Sequence, residues 1–149
     1  FDAVSAILGI CEKNSYEGES AMKLEAVAEK FTKKIEKISF MTTGEIFEKI
    51  LEKVLNGEDK NYLAKFFHKS LAEFLVGRCE EIKNSYGIKT VALSGGVFQN
   101  SLLTSLTVNG LRKRGFKVLL NKMIPANDGG ISIGQAAFVA NKKTISKLP

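Results

Sequence analysis

The sequence predicts an α/β fold in which a helical N-terminal half precedes a short parallel βαβα unit. Two observations carry this. The hydrophobic period changes near Gly87, from helical spacing before it to short apolar runs alternating with helical segments after it. Two pairs of adjacent glycines, Gly95-Gly96 and Gly129-Gly130, then stand at loop-to-helix junctions in that second part.

Each element follows from local pattern. Phe1, Val4, Ile7 and Leu8 repeat at helical spacing and predict a helix over 2–11. "EKNSYEGES" is a polar loop that turns at Gly18. Leu24, Val27, Ala28, Phe31, Ile35 and Ile38 mark one face of a long helix over roughly 20–37. Thr42 and Glu45 have capping-box spacing and start a helix that Asn56-Gly57 ends. Asp59 caps the next helix, with a face of Leu63, Phe66, Phe67, Leu71, Phe74, Leu75 and Ile82, and Gly87 stops it. "KTVALS" reads as a buried strand, "VFQNSLLTSLTVNGLRKR" as a helix ended by Gly115, and "FKVLL" as a second strand. "NKMIPANDGG" is a loop before a final helix, "ISIGQAAFVANKK". Strand, helix, strand and helix at these lengths give a parallel pair. The expected organisation is one unit over 1–149: 1–87 mainly helical, 88–142 the βαβα unit, and 143–149 a frayed tail.

The 149 residues suffice for one domain, which buries about 70% of the surface of its unfolded chain. Lysines and glutamates interrupt every apolar run, so no membrane span is expected. The chain opens at Phe1 on a helical pattern without a basic leader, as expected of a segment cut from something longer rather than of a signal peptide. Cys11 and Cys79 stand outside any metal-ligand spacing and read as reduced thiols of a cytoplasmic protein. Charge is uneven. From Ile82 to Pro149 there are ten Lys or Arg and one acid, Asp128. A basic half invites anionic ligands or is simply a solvated surface.

The candidate site residues come from the glycine pairs. Ligands of open parallel sheets bind beyond the carboxyl ends of the strands. Gly95 and Gly96 fall there, where a backbone without Cβ atoms can approach a phosphate and a following helix can add unpaired N–H groups. Asn100, about one helical turn on, can reach the same ligand. The pattern is neither a dinucleotide fingerprint nor a Walker A loop, and a tight turn also explains it. Asp128 is either a helix N-cap or a metal-directed carboxylate. Glu25 is either a solvated flank or a ribose-binding carboxylate. His68 is the single histidine, too few for a metal site or a triad, and reads as a boundary-layer core residue.

The stretches "FDAVSAILGI", "SYEGESAMKLEAVA", "FHKSLAEFL", "TVALSGGVFQNSLL" and "IPANDGGISIGQAA" together resemble the C-terminal portion of the HypF family, carbamoyltransferases of nickel–iron hydrogenase maturation. The resemblance runs to about residue 140. It implies one lobe of an actin-like (ASKHA, ribonuclease H-like) fold with additional helices in the N-terminal half. It also implies a reaction in which carbamoyl phosphate and ATP give carbamoyl-adenylate, whose carbamoyl group passes to the C-terminal cysteine of the partner HypE. By the same resemblance, Gly95 and Gly96 approach the nucleotide phosphates with Asn100 beside them. Glu25 and, second to it, Glu17 are ribose candidates, and Asp128 is the metal ligand of this lobe, for magnesium, zinc or iron. No catalytic residue is assigned. Glu19 replaces a usual glutamine and adds a negative charge near the phosphates. The family's paired metal histidines are absent, so the chain is expected not to catalyse alone. Neither a membrane nor a nucleic acid is an expected partner. The alternatives are a lobe of the related tRNA threonylcarbamoyl-transfer proteins and a non-catalytic interaction module.

Overall fold

A computed structural model describes residues 1–39 and 42–141; the tail expected to fray, 143–149, lies outside the described residues. The elements run α1 (Asp2–Ile7), α2 (Glu19–Glu29), α3 (Thr43–Leu55), α4 (Lys60–Tyr86), β1 (Thr90–Leu93), α5 (Ser101–Lys113), β2 (Lys117–Leu120) and α6 (Ile131–Ala140). Short 3₁₀ turns cover Gly96–Gln99 and Asp128–Gly130. β1 and β2 pair in parallel, with Thr90 opposite Lys117 and Leu93 opposite Leu120. α5 is the crossover between them, so the predicted βαβ unit is present.

The helix ends follow the chemistry read from the sequence. The Thr42 hydroxyl accepts from Glu45 N–H while the Glu45 carboxylate accepts from Thr42 N–H, a complete capping box. Asp59 Oδ1 accepts from Tyr62 N–H at 2.9 Å, and Gly87 closes α4 with φ 72°. T42A removes the first of these caps and is expected to cost about 1 kcal/mol, read as a lower thermal midpoint. Restoring it with Ser should recover most of that loss.

α4 is the spine. It packs against α2 and α3 on one side and against α5 on another. Leu24, Ile35, Ile46, Ile50, Ala64 and Phe66 form one buried cluster; Val76, Leu93, Val108, Leu111 and Phe116 form a second beneath the sheet. α5 approaches α4 closely because Gly110 has no side chain: a Cβ there would stand 2.9 Å from Val76 Cγ2.

Three helix predictions need correction. α1 stops at Ile7 rather than near residue 11, because Gly9 enters the left-handed region (φ 61°) and the Ser5 carbonyl accepts from Ile10 and Cys11. α2 ends at Glu29 rather than near 37. Ile35 and Ile38 are still buried, but from a non-helical segment. Two α4 lysines satisfy that segment's carbonyls: Lys65 Nζ donates to Phe31 O at 2.7 Å, and Lys69 Nζ to Ile35 O and Glu36 O at 3.1 and 2.7 Å. Tertiary partners thus replace the helical ladder that the i, i+3 spacing suggested. The helix expected from Val97 divides at Asn100, whose extended backbone (ψ 108°) separates the 3₁₀ turn from α5.

α6 buries none of its residues; Ile131, Ile133, Phe138 and Val139 all remain exposed. No helix among the described residues is long and apolar enough to cross a membrane. Cys11 and Cys79 are free thiols, the first buried.

Candidate functional site

A cleft of about 830 Å³ opens where three loops meet. The first loop supplies Glu17 and the body of α2 supplies Glu25; the glycine turn after β1 supplies Gly96, Val97 and Asn100; the loop before α6 supplies Asn127 and Asp128. This volume is in the range of small-molecule sites. Residues 17 and 128 are thus brought together from opposite ends of the chain.

Five of the six candidates line this cleft, and Gly95 does not. Gly95 shapes the turn through its backbone conformation. Its φ of 105° and ψ of 156° lie in a region that only glycine occupies readily. Its N–H donates to Ala126 O at 2.7 Å, which ties the first glycine loop to the second. Gly96 has ordinary dihedral freedom, and a Cβ there would find its nearest neighbour, Asn127 Cβ, at 3.9 Å. The fold therefore leaves room for a side chain at Gly96.

The α5 N-terminus does not offer the free amides expected of it. Asn100 Oδ1 accepts from Leu103 N–H at 2.8 Å. Glu25 Oε1 accepts from Leu102 N–H at 2.9 Å and from the Ser101 hydroxyl at 2.7 Å. A carboxylate from α2 thus caps α5, where the helix dipole favours it. Glu25 is neither a solvated flank nor a wholly free ligand: both bonds fall on Oε1. An anion would instead meet the backbone of the 3₁₀ turn.

Asp128 is not a cap. Asn127 holds that place, its Oδ1 accepting from Gly129 N–H at 3.2 Å, and the Asp128 side chain is exposed on the cleft wall. The signal for Asn127 was in the sequence, since Asn caps as well as Asp. Glu17 is also exposed on the wall. Among the described residues the lining has three carboxylates and no Lys or Arg. A polyphosphate would need an accompanying cation here. No group of three or more His, Cys, Asp and Glu able to hold a metal occurs among the described residues. Asp128 alone is too small a donor set for a divalent ion.

Glu19 does not add charge to the cleft. Its side chain folds inward, where Oε1 meets Lys23 Nζ at 2.6 Å and Oε2 accepts from Ser15 N–H and the Ser15 hydroxyl at 2.6 and 2.7 Å. The Lys23 ammonium, then the Ser15 donors, hold its pKa down at about 2. A carboxylate depressed on folding stabilises the fold above its unfolded pKa, and that stability is lost as pH falls through the folded value. Thermal midpoints taken from pH 5 down to pH 2 should therefore fall more steeply for the wild-type chain than for E19Q. Parallel curves would show that this ion pair does not act.

His68 is fully buried rather than at a boundary. Its Nδ1 lies 2.8 Å from Ala64 O and its Nε2 lies 3.0 Å from Asn100 Nδ2. Burial pushes the ring's pKa below its ordinary value. Its place beside the aromatic face suggested a boundary position and could not show that His68 meets Asn100.

Residues 1–135 match the family model described as the carbamoyltransferase Kae1-like domain, second subdomain. A probable carbamoyltransferase HypF of Methanocaldococcus jannaschii is 38% identical over 139 residues, which cover 90% of this chain and 18% of that protein. The carbamoyltransferase HypF of Rhodobacter capsulatus is 38% identical over 143 residues, covering 95% of this chain and 19% of that protein. The chain thus spans about a fifth of the length of these relatives. A crystal structure of full-length HypF in a phosphate- and nucleotide-bound form superposes with a TM-score of 0.82 at 34% identity, covering 95% of this chain and 20% of that one. With the family model spanning nearly the whole chain and the fold shared, the chain belongs to the HypF carbamoyltransferase family, in which it corresponds to the second subdomain of the Kae1-like domain.

Proposed function

We propose that this chain forms one wall of the nucleotide cleft of a carbamoyltransferase and does not catalyse by itself. The observation that carries the reading is the cleft: Glu17, Glu25, Gly96, Asn100 and Asp128, chosen from the sequence, line one cavity, in a chain that superposes on a nucleotide-bound HypF. In this reading Gly96 and Val97 present backbone amides to the phosphates of ATP, on a turn that Gly95 holds in shape. Glu25 takes a ribose hydroxyl with Oε2 while Oε1 keeps α5 capped, and Glu17 is a second ribose contact. Asp128 contributes one carboxylate to a divalent ion whose other ligands come from outside this chain. The exposed apolar face of α6 is what one lobe of a two-lobed protein presents to the other.

In the reaction proposed for the whole protein, carbamoyl phosphate loses inorganic phosphate to give carbamate, whose oxygen attacks the α-phosphorus of ATP, expelling pyrophosphate to form carbamoyl-adenylate. The HypE C-terminal thiol attacks its carbamoyl carbon, and AMP leaves. One wall cannot keep water from so reactive an acyl-adenylate.

A chimera tests this. The corresponding fifth of the Methanocaldococcus jannaschii relative is replaced by this chain, and AMP formation dependent on carbamoyl phosphate and HypE is measured. Turnover by the chimera, with none from the isolated chain, is the expected result. A well-folded chimera that binds neither ATP nor HypE would overturn the reading.

A further inference from the structure

We propose that His68 is a positioning residue for this cleft, setting through its Nε2 which way the Asn100 amide faces a bound ligand. The proposal rests on the reading that the cleft takes a nucleotide.

The hydrogen bonds leave one consistent assignment. Ala64 O can only accept, so His68 Nδ1 carries the proton. In a neutral ring Nε2 is then an acceptor, and Asn100 Nδ2 donates to it. At the other end of the same amide, Asn100 Oδ1 accepts from Leu103 N–H. A flipped Asn100 would set Oδ1 against the Nε2 lone pair and Nδ2 against the Leu103 N–H, two repulsions at once. The amide is therefore locked, with one Nδ2 hydrogen used by neither partner, on a residue that lines the cleft.

Core packing does not ask for a histidine here. The ring packs edge-on against Phe1 and Phe67, at centroid distances of 5.4 and 5.8 Å, where a leucine would fill the space without burying two polar nitrogens. The charged groups facing the ring are the Glu25 carboxylate from α2 and the amino group of Phe1. Burial outweighs the carboxylate and keeps the ring neutral near pH 7, as an acceptor must be. Protonating Nε2 would place a donor against the Asn100 donor and release the amide.

Two measurements decide it. In the first, the ligand is ATP, titrated into the wild-type chain, H68Q and H68L. H68Q keeps a side-chain acceptor; H68L does not. H68L should bind ATP at least roughly fivefold more weakly, with H68Q between it and wild type. Wild-type binding by a folded H68L would overturn the proposal while leaving the nucleotide reading intact. Failure of the wild-type chain to bind would overturn both. The second needs no nucleotide and survives an unfolded H68L. The Asn100 side-chain amide signals of the wild-type chain are followed by NMR as pH is lowered from 8 until the ring protonates, beside the imidazole nitrogens of His68. Both should shift with one midpoint, from a starting state with Nδ1 protonated. Asn100 signals that stay fixed while the ring protonates, or a ring protonated on Nε2 at pH 8, would overturn it.

Discussion

G96A should leave the thermal midpoint of this chain almost unchanged and weaken ATP binding by about tenfold or more, about 1.4 kcal/mol. The two effects separate because of what surrounds this position. A Cβ on Gly96 makes only an ordinary contact with Asn127 and demands no unusual dihedral, so the fold has little to lose. Gly96 lines the cleft, and in the proposed reading the added methyl crowds the phosphate that its backbone meets. G95A should do the reverse. It forces alanine into φ 105°, which costs about 1–3 kcal/mol, and it loosens the turn rather than filling the cleft. Calorimetric midpoints and ATP binding measured on both variants check the pair. If both glycines behaved alike, the division between a cleft-facing and a turn-shaping glycine would fail.

The second large effect falls on Glu25. E25A removes the acceptor that holds Leu102 N–H and the Ser101 hydroxyl, and it takes a negative charge from the α5 N-terminus. Because the site is only partly buried, the expected loss of stability is about 1–2 kcal/mol. E25Q keeps one oxygen acceptor without the charge and should recover roughly half of it. ATP binding should weaken in both, since the carboxylate also stands on the cleft wall. Thermal melts beside ATP titrations separate the capping role from the ligand role. An E25A variant as stable as wild type would contradict the cap.

What the sequence made legible was whatever depends on neighbours along the chain. The Thr42–Glu45 box, the Asp59 cap and the Gly87 stop formed where read, because each is local hydrogen bonding. The parallel strands followed from short apolar runs separated by one helix. The helix expected over roughly 20–37 failed at its second half because Lys65 and Lys69, more than thirty residues away, supply partners to that backbone. Spacing of Ile35 and Ile38 cannot reveal a distant lysine. The site shows the same division. Gly96, Glu25 and Asp128 could be picked out by type and position, yet their meeting in one cleft is a property of the fold. Asn127 displaced Asp128 from the cap because adjacent Asn and Asp compete for that role on equal chemical terms. Glu19 read as cleft charge although Lys23 stands four residues on at ion-pair spacing; the Ser15 donors that also hold it come from the loop before α2.

In the proposed reading, Glu17, Glu25, Gly96, Asn100 and Asp128 form one nucleotide wall. The most direct measurement is an NMR titration of the isotopically labelled chain with ATP and magnesium, to on the order of 10 mM so that a weak half-site still registers. Shifts concentrated on Gly96, Val97, Asn100, Glu25 and Asp128 are the expected result. A well-folded chain whose shifts fall instead on the lysine- and arginine-rich end of α5, or that shows none, would contradict the reading.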